Sequence, residues 1–78
     1  MDTSTAVRQR ILDLCRQRGI TVNRLATISG VTQSTVNNIV SGRNHSATVA
    51  TIKKLCDGLD ITLRDFFDAA VFEDLEQE

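Results

Sequence analysis

Gln33, Ser34, Asn37 and Asn38 are four uncharged hydrogen-bonding side chains on one side of a segment whose apolar residues, Val36 and Ile39, fall on the other. That spacing is helical, and it turns the polar set outward as a group. Side chains that both donate and accept without carrying charge suit the edges of base pairs. Glutamine and asparagine can bond bidentately to N6 and N7 of adenine in a DNA major groove, which makes A·T pairs the favoured targets. Other chemistries lack their residues. The single histidine, His45, has no metal-ligand or nucleophile companion near it in sequence, and the two cysteines, Cys15 and Cys56, are far apart with no Cys-x-x-Cys pair. A zinc site needs about four ligands, so no metal is expected. Without a glycine-rich phosphate loop or a paired acid–base constellation, neither a cofactor nor an enzyme activity is expected, and no small-molecule ligand is evident.

Positioning that polar face requires two short helices docked across a tight turn. Leu25 and Val36 supply inward apolar faces, Ala26 permits close approach, and Gly30 takes the backbone conformation of a sharp inter-helix turn. Five helices are predicted along the chain. The first runs from about Thr5 to Arg18 with Val7, Ile11, Leu14 and Cys15 inward, and Gly19 ends it. Thr21 caps a second, Val22 to Ser29, closed by Gly30. Thr32 caps a third, Gln33 to Ser41, terminated by Gly42. After the polar loop Arg43-Asn44-His45-Ser46, Thr48 caps a fourth, Val49 to Leu59, with Val49, Ile52, Leu55, Cys56 and Leu59 inward and Gly58 a weak point near its end. Thr62 and Asp65 form a weak variant of the capping box for a fifth, whose stripe is Leu63, Phe66, Phe67, Ala70 and Val71. No segment alternates with period two, so the fold class is all-α.

The 78 residues allow one domain, with a core at about 5–71 and an acidic C-terminal tail at 72–78. Three Phe and no Trp or Tyr exclude the aromatic platforms that stack single strands. A net charge of −1 at first disfavours a nucleic-acid partner. Its distribution reverses that: residues 1–45 carry six arginines against two aspartates, +4, whereas residues 46–78 sum to −5. The basic half holds the helix-turn-helix spacing. Both cysteines occupy inward positions and are expected to be buried reduced thiols. No stretch has the length of a membrane span or the apolar run of a signal peptide, so no membrane partner and a cytoplasmic location are expected.

Gly19-Ile20-Thr21, Leu25-Ala26, Ser29 through Val36, Ser41-Gly42-Arg43 and Thr51-Ile52-Lys53-Lys54-Leu55 together resemble the phage repressor/Cro-type helix-turn-helix family, the xenobiotic-response-element regulators of bacteria and phages. Leu59-Asp60-Ile61-Thr62-Leu63 followed by Phe66 resembles that family's entry to its last helix, so the resemblance covers about Val7 to Phe67. It implies a compact repressor-like fold with the third helix in the major groove, where Gln33, Ser34, Asn37 and Asn38 would read bases. It also implies phosphate contacts from Thr21 and the amides that begin the second helix, and from Ser41, Arg43, Asn44 and His45. Three positions depart from the family pattern. Val22 replaces a glutamine that reaches a phosphate, and Asp60 replaces a glycine. Cys15 and Val40 stand where an Arg–Glu ion pair often joins the first helix to the third; with both partners replaced, no unpaired buried charge is left.

The resemblance implies a sequence-specific double-stranded DNA-binding transcriptional regulator, bacterial or phage-encoded and acting as a homodimer. The alternative is a protein-interaction or antitoxin-like module that uses the acidic C-terminal half. Phe72 lies off the fifth helix's stripe and Leu75 beyond the family match, so neither has an expected intramolecular partner. That places the dimer surface at the fifth helix and tail, with the acidic end away from the phosphates.

Overall fold

In the computed structural model, which describes residues 1–43 and 46–78, the chain folds into five α-helices. They are α1 (Thr3–Arg18), α2 (Val22–Ser29), α3 (Gln33–Val40), α4 (Val49–Leu59) and α5 (Leu63–Phe67), followed by a single 3₁₀ turn at Ala70–Phe72. No strand occurs among the described residues.

Each helix starts where a short oxygen-bearing side chain can take up an otherwise unpaired amide. Asp2, Thr21, Thr32, Thr48 and Thr62 are the N-caps, accepting from the backbone N–H of Thr5, Arg24, Thr35, Thr51 and Asp65 at 2.8–3.2 Å. At Thr62 the Asp65 carboxylate returns the bond to the Thr62 amide, completing a capping box. Asp2 therefore begins α1 two residues before the expected Thr5. Helix ends follow one device three times. Gly19, Gly30 and Asp60 adopt left-handed conformations, and the next amide, of Ile20, Val31 or Ile61, reaches back to the carbonyl of Cys15, Ala26 or Cys56 at 3.0–3.1 Å. Ile20, Val31 and Ile61 then pack against the core. Asp60, at φ +57°, does the work a glycine does at the other two ends.

The core is one cluster contributed by every helix: Val7, Ile11, Leu14 and Cys15 from α1, Leu25 and Ala26 from α2, Val36 and Ile39 from α3, Ile52, Leu55, Cys56 and Leu59 from α4, and Phe66 from α5. Cys15 is buried and Val40 packs against the same cluster, so both residues at the expected ion-pair positions serve the core. Both thiols are free, and burial pushes each up from its ordinary pKa; beside Cys56 the Asp57 carboxylate adds to the rise.

Several expectations are corrected. Val49 is 65% exposed, because the first residue of α4 lies at the rim rather than on the stripe. The third helix ends at Val40 rather than Ser41. The fifth helix stops at Phe67, short of Ala70 and Val71, and there the Arg10 guanidinium donates to the carbonyls of Asp65 and Phe66 at 2.8 and 2.7 Å. Those are the acceptors that the amides of residues 69 and 70 would use if the helix continued. The chain turns instead, leaving Phe67 41% exposed and bringing Phe72 back onto the core. Phe72 thus has intramolecular partners after all, with its ring 4.9 Å from Phe67 and 6.0 Å from Phe66.

Gly58 is the least expected support. A Cβ there would lie 2.2 Å from Ser29 Oγ and 3.0 Å from Ser29 Cα, so glycine is what lets α2 and α4 come this close. Gly58→Ala should destabilise the fold by about 1–3 kcal/mol in urea unfolding, even though alanine has the better helix propensity. A gain in stability would show that the two helices can separate freely.

Candidate nucleic-acid interface

Helix α3 has an inner edge of Val36 and Ile39, both buried, and this sets the direction of everything else on it. Gln33, Ser34 and Asn37 are exposed, and Asn38 is half-buried at the margin. The Thr32 cap leaves Gln33 and Ser34 at the open N-terminal end of the helix, where a helix enters a groove most easily. Thr35 is occupied locally, its hydroxyl lying 2.7 Å from that of Thr32. The four sequence-predicted base-reading residues therefore share one face.

The Asn37 amide is not free to spin. Its Nδ2 donates to Asn23 Oδ1 at 3.1 Å, bridging the first turn of α2 to the middle of the outward face of α3. One amide hydrogen is used, which leaves the second hydrogen and Oδ1, the pair a bidentate adenine contact needs. Asn23 is the residue sequence reasoning missed. It lies 14 positions from Asn37 and on a different helix, so periodicity within one element carries no sign of the pairing.

Thr21 lies at the head of α2, exposed, with its Oγ1 accepting from the Arg24 amide at 3.0 Å. That bond uses a lone pair and leaves the hydroxyl proton for an outside acceptor, beside amides at the positive end of the helix dipole. Because Asn23 touches Asn37, the head of α2 adjoins the outward face of α3. At the other end of α3, Ser41 is exposed and its hydroxyl donates to the Asn38 carbonyl at 3.3 Å, and Arg43 follows, also exposed. Asn44 and His45, the remaining expected phosphate contacts, lie outside the described residues.

The basic half of the sequence divides once its partners are known. Arg10 is spent on the end of α5, and Arg16 pairs with Asp13 at 2.7 Å. Arg18, Arg24 and Arg43 are exposed. The acidic tail packs on the N-terminal end of the chain. The Glu76 amide donates to the Met1 carbonyl at 3.1 Å, and Thr3 donates to Glu78. Glu78 then lines a pocket of about 250 Å³ with Thr3, Ser4, Val7, Ile39, Ser46 and Ala47. The tail is folded back on α1 toward Ser46 and Ala47. Glu76 lies 3.8 Å from the chain's own N-terminal ammonium. Among the described residues no group of His, Cys, Asp or Glu is arranged to hold a metal, and no helix is long and apolar enough to cross a membrane.

The model of the Cro/C1-type helix-turn-helix DNA-binding domain matches residues 10–70. Among proteins of Bacillus subtilis strain 168, the chain is similar to the HTH-type transcriptional regulator RghRB, 37% identical over 62 residues covering 80% of this chain and 45% of that protein. It is 40% identical over 53 residues to the HTH-type transcriptional repressor RghR, covering 68% of this chain and 39% of the repressor. SlrR, another HTH-type transcriptional regulator, is 38% identical over 61 residues, 77% of this chain and 40% of its own. The chain thus spans less than half the length of these relatives. The crystal structure of the prophage Lp1 protein 11 superposes with a TM-score of 0.81 at 38% identity, covering 96% of this chain and 100% of the other.

Arg10→Met should cost about 1.5–3 kcal/mol of stability, since hydrogen bonds from a charged donor are lost at the end of α5. DNA affinity per folded molecule should stay level in a titration at fixed salt. Loss of affinity without loss of stability would move Arg10 from the core to the interface.

Proposed function

The chain belongs to the Cro/C1-type helix-turn-helix DNA-binding domains, a family of DNA-binding transcriptional regulators rather than enzymes, and we propose that it reads a specific double-stranded operator with α3 in the major groove. In this reading Gln33, Ser34, Asn37 and Asn38 meet base edges. Thr21, Ser41, Arg43, Asn44 and His45 hold the flanking phosphates. The chain acts as a single helix-turn-helix domain whose residues 72–78 form an acidic tail. The relatives' names, regulator and repressor, support transcriptional control as the role.

One observation carries the proposal: α3 presents an uncharged, amide-rich outer face whose central member, Asn37, is held by Asn23. A surface used only for solvation has no need of a cross-helix bond that fixes an amide's orientation. Val22 supports the same reading from the other side. With an apolar residue at the first position of α2, packed against the core, Asn23 is the polar side chain at the helix head that reaches α3.

We place the protein on DNA as a homodimer, because one α3 touches too few base pairs for specificity and two copies double both base and phosphate contacts. Phe67, an exposed aromatic at the end of α5 that meets Phe66 edge-to-face and Phe72 at a tilt, supports a contact surface there. The expectation that Phe72 supplies that surface is replaced by Phe67.

Gln33→Ala should change the preferred sequence, with a loss of about 1–3 kcal/mol of discrimination at one base position per half-site. Arg43→Ala should weaken all duplexes about equally and flatten the slope of log affinity against log salt by about 0.9 per contact. Selection from a random duplex pool, followed by titration at two salt concentrations, measures both. Identical selected sequences for wild type and Gln33→Ala would overturn the base-reading role.

A further inference from the structure

We infer that Arg8 is a phosphate-binding residue, presented from α1 through the turn that follows α3; this rests on the DNA-binding reading above. Arg8 is half-buried. A Cβ built on Gly42 would lie 3.5 Å from Arg8 Cζ, 3.5 Å from Nη2 and 3.8 Å from Nη1. Three nearly equal distances mean that Gly42 meets the face of the guanidinium rather than its edge. A face contact fixes the plane of the group and uses none of its five N–H donors. Gly42 itself has φ +83°, a left-handed conformation that a side chain would strain. The open side of Gly42, where a side chain would stand, thus looks onto the cation.

Among the described residues no hydrogen bond from the Arg8 guanidinium is found. Arg8 Nε is buried without a hydrogen-bond partner, and no carboxylate pairs with the group among the described residues. The other arginines of α1 that are tied down show the contrast: Arg10 bonds two carbonyls and Arg16 an aspartate. A buried donor left unpaired is rare and calls for a partner or another physical reason. Of the acidic side chains at this end of α1, Asp2 caps the helix, Glu76 faces the N-terminal ammonium and Glu78 accepts from Thr3. What lies immediately beside the guanidinium is the Ser41–Arg43 turn, the segment assigned above to the DNA backbone. A planar, oriented fork next to that turn matches a phosphodiester group, whose paired oxygens accept two parallel N–H bonds. Neither charge counting nor helical periodicity singles Arg8 out; the contact with Gly42 does.

The test uses the full chain, a short mixed-sequence duplex, and three variants: Arg8→Gln, Arg8→Lys and Arg43→Ala. Arg8→Gln should bind about tenfold or more weakly, as expected for loss of a charged hydrogen bond. Its salt slope should be shallower by about 0.9 for each Arg8 that meets a phosphate. Arg8→Lys should keep the wild-type slope while losing part of the affinity, because charge is retained and the fork is not. In the wild-type protein, the NMR signals of the Arg8 guanidinium should shift on adding duplex and not on adding inorganic phosphate at equal ionic strength. This readout needs no variant to fold.

An unchanged slope in folded Arg8→Gln, or guanidinium signals that ignore the duplex, would overturn the inference and leave Arg8 as a packing residue. Signals that respond equally to inorganic phosphate would overturn the assignment to DNA and leave a simple anion site. If Arg43→Ala loses affinity while Arg8→Gln does not, the DNA reading stands and Arg8 alone is wrong. If the wild-type chain binds no duplex, the reading itself fails.

Discussion

The close approach of α2 to α4 is the contact on which the rest depends. Ser29 of α2 sits where a side chain on residue 58 would be, so the two helices are separated by little more than backbone. Leu25 and Ala26, both fully buried, fill the same seam. With α2 fixed, the left-handed turn at Gly30 and the inward packing of Val31 and Val36 leave α3 one orientation. The polar face of α3 is therefore a consequence of packing behind it. Interiors transmit such constraints because they are close-packed and deform little. In the proposed role, a helix supported on one rigid seam would lose little conformational freedom on binding, which favours specificity.

Charge on this small domain is arranged by commitment more than by count. The chain is slightly acidic as a whole, and two of its arginines serve the fold, one by bonding the end of α5 and one by pairing on α1. The face around α3 is left mostly neutral, with exposed Arg24 at the head of α2 and Arg43 beyond the end of α3. Cations at the margins suit phosphates, and neutral amides at the centre suit bases. The acidic tail folded on α1 adds a negative border near Ser46 and Ala47.

What was legible in the sequence was local. Thr21, Thr32, Thr48 and Thr62 announce helix starts because capping is decided within three residues, and Gly19 and Gly30 announce ends for the same reason. The core stripes of the first four helices follow from period alone, apart from Val49 at the rim. What escaped involves residues distant in sequence. Arg10 bonds the end of α5 from 55 and 56 positions away, Gly58 is shaped by Ser29, and Asn37 is held by Asn23. Two also contradict their local reading: an arginine counted only as charge and a glycine counted as a weak point. The outward set on α3 was legible because the inward set is, one face implying the other. Which of its members are pre-oriented was not.

The most direct test of the account is an amide NMR titration of the protein with duplex DNA carrying a selected operator. The account predicts the largest shifts at the head of α2, residues 21–23, along Gln33 to Asn38, and at Ser41 to Arg43, with residues 63–78 changing little beyond any dimer contact. Shifts concentrated on α5 and the tail, with α3 silent, would contradict it and transfer the function to the acidic half of the chain.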